Sequence, residues 1–435
     1  MRIRNIILNV LICFISIIPL SFSFSSDFTQ LTGASSVARN GLGIVSFDGL
    51  SNVMTNPAGL ASMNGRWFEV SGVDRLGQYD FDNIEKGLYR SFRSHHWGFN
   101  GGAFYSVDPS LALAIAYHRL IDYRIEWPFV LYWEKGTGHE SLAFDMYNRL
   151  LIDAISPSVG VKFGKLSIGL TANIYWAKHR LAFPLGNDDW FNDQGEAGYQ
   201  FSYKQDGWSY GGILGCLYQI SENMRVGFKI QSMFEIGLDG EAKSSMFNDL
   251  DTTAVRPEIL QVSTDFKMPW VFGVGFALNM AQYIELNLDG ALSLWDKTKN
   301  NLVFQFSDGE WNRQLDQTDS KTGIQVNMIP LELKNSFDLG FGISYTPPSK
   351  LSYRAGYRYN QSPISEATNS MFFPSLNQHW FSAGIGYHSG PFIFNASIAY
   401  GFGEQRKINA EDNPFWYGKY DSGVFIQSVS FGYSF

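Results

Sequence analysis

Cysteine is almost missing from this chain: 435 residues carry two. Cys13 lies in an apolar stretch at the start, and Ile12 before it excludes a lipobox, which wants a small residue there and the end of the apolar run. Cys216 then has no partner for an internal disulfide, so stability must come from elsewhere. After the first twenty residues no run of about 18 apolar residues occurs, and no helix can span a bilayer. Basic residues are also scarce. Removing Arg2 and Arg4 from 33 Lys and Arg leaves 31 against 41 acidic residues, a net charge of −10. That charge disfavours nucleic acid as a partner, because phosphate binding wants a basic surface. No glycine-rich phosphate loop is present. His95-His96 lacks the spaced carboxylates and thiols of a zinc site. His118, His179, His379 and His388 show no Ser at the spacing a hydrolase needs. No catalytic residue, metal or cofactor is therefore expected.

What is present is apolar content in pieces. The chain is 45% hydrophobic and 16% aromatic, and alternation hides that content from a helix search. Arg2 and Arg4, the apolar run Ile6 to Leu20 and small residues at Ser21, Ser23 and Ser25 read as a secretory signal over 1–25. Beyond it, fourteen segments alternate with period two: 66–75, 97–107, 110–121, 157–163, 166–180, 207–220, 224–237, 269–279, 282–296, 334–346, 350–360, 378–388, 391–403 and 423–435. Short connections such as Asp108-Pro109-Ser110, Gly164-Lys165 and Ser389-Gly390 carry turn chemistry. They alternate with long polar stretches, among them 122–156, 181–206, 297–333 and 361–377. This rhythm and an even strand number predict an all-β fold: a 14-stranded antiparallel transmembrane β-barrel over 66–435, with short periplasmic turns and long outer loops.

The faces sort cleanly. In 350–360 one face is Leu351, Tyr353, Ala355, Tyr357 and Tyr359; the other holds Arg354 and Arg358. An Arg in lipid at the midplane would cost about 2–4 kcal/mol, so that face points inward. Tyr117, Trp176, Trp295, Tyr345, Tyr387 and Tyr400 suit the aromatic girdles at the membrane interfaces. The last segment ends Val429-Ser430-Phe431-Gly432-Tyr433-Ser434-Phe435. Such a strand resembles those of bacterial outer-membrane barrels, where the barrel-assembly machinery reads it. A soluble sandwich would alternate too, but it does not explain leader, loop rhythm and terminal aromatic together.

Residues 26–65 do not alternate. They are rich in small residues, with Asn56-Pro57-Ala58-Gly59-Leu60 marking a turn and a helix start. This composition predicts a compact plug inside the lumen; an unstructured leader is the alternative.

Three blocks carry a resemblance to the FadL/TodX family of outer-membrane transporters for long-chain fatty acids and hydrocarbons. The first runs from Gly41-Leu42-Gly43 through Asp48 to Asn56-Pro57-Ala58-Gly59-Leu60, similar to the family's hatch motif. The second is Met268-Pro269-Trp270 with Gly273, Gly275, Asp289 and Trp295. The third joins Arg354-Ala355-Gly356-Tyr357, Asn360-Gln361-Ser362-Pro363, Phe373-Pro374 and Trp380 to Tyr387. Asn360 stands where relatives often have Asp. The resemblance implies a monomeric barrel in the bacterial outer membrane with a hatch at 26–65. It implies passive uptake of long-chain fatty acids or other hydrophobic small molecules, and release sideways through a gap in the wall. Secretion-system barrels of the PorV type share a block like the first, so a scaffold or shuttle is the alternative; an apolar tunnel would separate the two.

A fatty acid needs an apolar slot and one cation or donor. Loop residues Trp127, Phe129, Trp133, Met146, Trp190, Phe191, Met246 and Phe247 are candidates for the slot. The stretch Leu142 to Ile155, with Leu142, Met146, Leu150 and Ala154 on one side, reads as an amphipathic loop helix. Arg354 and Arg358 are the candidate cations, though buried charge seeks a partner such as Asp289 or Glu285.

Overall fold

The computed structural model describes residues 33–47, 49–83, 87–135, 138–185, 199–244, 259–298, 301–307, 328–414 and 416–435. Among them fourteen antiparallel strands close into one barrel. They are β1 (Arg66–Asn83), β2 (Ser94–Asp108), β3 (Leu111–Lys135), β4 (Gly138–Phe163), β5 (Leu166–Leu185) and β6 (Tyr199–Ser221). Next come β7 (Met224–Gln231 and Phe234–Ser244), β8 (Ile259–Met268 and Trp270–Ala281) and β9 (Ile284–Leu294). The set ends with β10 (Ser336–Tyr345), β11 (Leu351–Asn360), β12 (Gln378–Ser389), β13 (Phe392–Gly403) and β14 (Gly418–Ser434). β1 and β14 pair from Trp67↔Ser434 to Asp82↔Lys419, which shuts the sheet. Closure leaves no edge strand to recruit another chain.

The wall is inside out relative to a soluble protein. Leu339 is 54% exposed and Val429 63%, whereas Ser428 and Ser430 are buried. Apolar outer residues meet lipid, and the small or polar ones face the lumen. Trp176 and Trp208 stack outside at 5.6 Å. Trp295 departs from its expected girdle place: it is buried in a short 3-10 turn, Trp295–Lys297, that ends β9 inside.

Turn chemistry sets the short hairpins. Asp108 Oδ1 accepts from Ser110 Oγ at 2.6 Å, Ser110 N at 2.7 Å and Leu111 N at 3.0 Å. The Ser110 side chain above all, with these amides, holds the Asp108 carboxyl below the usual carboxylate range. Gly164 and Gly390 take φ of 60° and 58°, a region costly for residues with a Cβ. β7 and β8 share one break. Ser232-Met233 faces Pro269-Trp270, since Gln231 pairs Val271 and Phe234 pairs Met268. Pro269 has no N–H to give the ladder, so the pairing is interrupted there.

The strand at Gly138–Phe163 replaces the expected loop helix. Positions 142, 146, 150 and 154 are four apart, which suits a helix face and equally every second residue of a strand. Met146, Leu150, Ile152 and Ala154 are buried in alternation, and β3 supplies the partner: Leu150 pairs Tyr123 and Met146 pairs Trp127. The hairpin therefore extends far beyond the segment read as membrane-spanning.

Residues 33–62 lie against the lumen face of the wall. They form α1 (Ala34–Val37), α2 (Asn52–Thr55) and a 3-10 turn, Pro57–Ser62, that starts at Pro57. Wall glycines make the room. A Cβ on Gly340 would come 2.7 Å from Leu42 Cδ2, one on Gly356 2.8 Å from Arg39 Cα, and one on Gly160 2.8 Å from Ala61 N. On Gly169 and Gly215 it would overlap Pro57 and Asn56 outright.

Candidate functional site

Most of the buried apolar residues of the barrel interior belong to one cluster, with two smaller ones around Leu60 and Trp380. The large cluster runs from Met54 to Trp127, Met146, Tyr175, Phe201 and Phe372. Most of its members sit on the inward positions of β3 to β8. Others come from polar-looking loops folded inward, among them Leu302, Phe304 and Phe306, and Met371, Phe372, Phe373 and Leu376. The inward turn of the second loop needs its backbone satisfied. Trp127 Nε1 donates to Met371 O at 2.8 Å, Tyr123 OH to Phe372 O at 2.6 Å and Asn148 Nδ2 to Phe372 O at 3.0 Å. Arg406 Nη1 reaches Ile364 O and Ser375 O at 3.0 and 2.9 Å. Buried carbonyls are thus paired, as burial demands.

Below that cluster the 33–62 segment is held by polar bonds. Asn56 Nδ2 donates to Ile44 O at 2.6 Å and to Cys216 O of the wall at 3.1 Å, while its Oδ1 accepts from Ala58 N at 3.1 Å. Asp289 Oδ2 accepts from Gly43 N and Ile44 N at 2.7 and 3.0 Å. Lys229 Nζ donates to Met54 O at 2.8 Å. Asn40 Nδ2 donates to Gly356 O at 3.0 Å. A pocket of about 100 Å³ remains among Leu42, Ile44, Thr55, Lys229, Asp289 and Arg358.

The wall has a seam. β2 pairs β1 over most of its length, from Gly77↔Ser94 to Arg66↔Tyr105. It pairs β3 only from Gly101↔Tyr117 to Asp108↔Leu111. Beyond Tyr117, β3 keeps β4 and bulges between Arg119 and Ile121. Side chains bridge the gap instead: Arg119 N donates to Asn100 Oδ1 at 3.1 Å and Arg119 Nη1 to Trp97 O at 3.1 Å. Leu120, a member of the apolar cluster, also lines a small pocket in this seam with His96, Gly98 and Asn100.

The residues singled out from the sequence fall into two places. Trp127 and Met146 are register partners inside the apolar cluster, not loop residues. The side chain of Phe129 lies outside the described residues, as do Trp133's side chain, Trp190, Phe191, Met246 and Phe247. Arg358 pairs with Asp338 at 2.9 Å and donates to Asn40 O at 3.1 Å, rather than meeting Asp289 or Glu285. Glu285 pairs with Arg225 at 2.6 Å, and Asp289 serves the backbone of the 33–62 segment. Arg354 Nη1 reaches Asn395 Oδ1 at 3.3 Å. The structure does not bring the two arginines to Trp127 and Met146. Lys229 and Asn40 carried no signal in the sequence that marked them, and the loop 361–377 was marked by its family motif residues but not as an inward element.

The sequence profile described as outer membrane protein transport protein (OMPP1/FadL/TodX) matches residues 163–435. The chain belongs to this family. The Long-chain fatty acid transport protein of Escherichia coli O157:H7 is 21% identical over 238 residues, covering 52% of this chain and 49% of that protein. The chain spans between 40% and 51% of the length of the curated relatives it matches. Among solved structures, a Pseudomonas aeruginosa FadL homologue aligns with a TM-score of 0.73 at 15% identity, over 95% of this chain and 100% of that one. The Pseudomonas putida toluene transporter TodX aligns at 0.71 and 16%, over 94% and 99%. At these identities the structures speak for the fold. With the outer-membrane relatives, the family places the chain in the bacterial outer membrane.

Proposed function

We propose that this FadL/TodX-family barrel takes up long-chain fatty acids or similarly shaped hydrophobic molecules passively across the outer membrane. The observation that carries the proposal is the buried apolar cluster in the lumen, continuous from Met54 of the N-terminal segment to the inward loop at Phe372. A water-filled porin has no use for it, and a PorV-like scaffold has no need of it. Residues 26–65 act as the hatch, with Asn56, Pro57 and Ala58 fixing it, and 66–435 as the barrel. Trp127 and Met146 supply apolar contacts to the cargo. Arg354 and Arg358, engaged with wall and hatch, tune its polar end from a distance. The seam between β2 and β3 is where cargo leaves sideways into lipid. The chain works as a monomer beside outer-membrane lipids after insertion by the barrel-assembly machinery, without a cofactor and without catalysis.

The test is a series of fatty acids of increasing length titrated against the purified barrel. Each buried methylene is worth about 0.8 kcal/mol, so affinity should climb about fourfold per carbon until the slot is full. Flat affinity across the series would refute an apolar tunnel.

A further inference from the structure

His118 is 1% exposed, and neither ring nitrogen has a hydrogen-bond partner. A buried donor or acceptor left unpaired costs about 1–3 kcal/mol. Such a group is rare in a native interior and points to a ligand or to a task. Its position is specific. Tyr117↔Gly101 is the last pair of the β2–β3 ladder, and His118 is the next residue on β3. It faces inward and lines a cavity of about 10 Å³ with Glu69, Ser71, Asn100 and Gly101 of the wall and Leu50 and Ser51 of the N-terminal segment. That volume is at the lower bound for one water, so one polar atom fits there and a hydrocarbon chain does not. Asn100 lines both this cavity and the seam pocket that Leu120 reaches from the apolar cluster, so the two adjoin.

We propose that His118 receives the polar end of an amphiphilic cargo at the seam, so that the protein favours acids or alcohols with long tails over bare hydrocarbons. The inference rests on the uptake reading above and adds the substrate class. An imidazole nitrogen accepts from a hydroxyl or a protonated acid, and its N–H donates to a carboxylate. The head group satisfies the ring, and the tail stays with Leu120 and the cluster. A bare alkane leaves the ring unpaired and gains nothing there.

The experiment compares uptake of labelled hexadecanoic acid and hexadecane by cells whose outer membrane carries the full chain or its variants. Heat-modifiable migration of the barrel checks folding. His118→Leu should lower uptake of the acid about tenfold, the size of one hydrogen bond to an ionised group, with hexadecane changed less than about twofold. His118→Gln, which keeps a donor and an acceptor, should restore most of the acid uptake. Equal losses for both probes, or unchanged acid uptake in a folded His118→Leu barrel, would overturn the assignment. Uptake of neither probe by the unaltered protein would refute the transport reading itself, and this inference with it.

Discussion

Replacing Asn56 by alanine should loosen the N-terminal segment without unfolding the barrel. One amide makes three bonds, to Ile44 O, to Cys216 O and from Ala58 N. At about 1 kcal/mol net each, their loss costs about 3 kcal/mol, and the orphaned Ala58 N–H adds to it. That is at least about a hundredfold in the local opening equilibrium. Amide exchange around 43–46 and 57–61 should quicken by this factor, while exchange in β9 to β13 stays put. The wall offers an internal control. A methyl on Gly215 would overlap Asn56 Oδ1 and come 2.9 Å from Pro57 Cδ. Gly215→Ala alone should therefore cost about 1–3 kcal/mol by overpacking. In the double variant the amide is gone, and the methyl fills part of the space it leaves. The two effects should fall short of their sum by about 1 kcal/mol or more, as for residues in contact. The overlap with Pro57 stays, so relief is incomplete. Strict additivity, or unchanged exchange in Asn56→Ala, would show that this amide does not hold the segment.

Asp289→Asn keeps one acceptor for Gly43 and Ile44 but loses the charge, so exchange of those two amides should rise about tenfold; Asp289→Leu, with no acceptor, should raise it further. The exchange of these two amides measured by NMR or mass spectrometry decides it. Trp127→Phe keeps the apolar bulk but leaves Met371 O without its donor. Protection of 369–376 should fall about tenfold, and unchanged protection would mean the loop is held inward by packing alone.

Period-two patterns made the wall legible in the sequence, because each strand must sort lipid from lumen. β11 shows it: Tyr353 is exposed and Ser352 buried, as the faces of 350–360 required. Strand lengths were less legible. Trp127 and Met146 lie on strands that run past the membrane, where both faces lose the lipid constraint and alternation alone no longer announces β. The 142–155 stretch misled for a related reason: a spacing of four satisfies both periods. Loop 361–377 looked polar, and its burial rests on carbonyl partners, Trp127, Tyr123 and Asn148, that are more than 220 residues away. No local signal encodes that. The arginines were read as inward, and they are. Their partners depended on register between strands, which fixes Asp338 opposite Asn360 and within reach of Arg358.

The lumen separates two chemistries. Several of its charges attend to the N-terminal segment: Asp289 takes two of its amides, Lys229 and Arg358 each donate to a carbonyl, and Arg225 donates to Val45 O while pairing Glu285. Charge-assisted bonds are about twice as strong as neutral ones, which suits a closure that must hold in the absence of cargo. The seam pocket is polar, lined by Arg75, His96, Asn100, Arg119 and Asp122 beside Leu120; the cluster above the segment is apolar, and apolar contact has no preferred direction. A chain can slide along such a surface without breaking one discrete bond at a time. On the uptake reading proposed above, cargo affinity would scale with tail length, and closure would depend on these few polar bonds. Substitutions among Asn56, Asp289 and Lys229 should change gating, and those among Trp127, Met146 and Phe372 should change affinity. His118 stands beside the seam, one residue past the last β2–β3 pair, with neither ring nitrogen partnered.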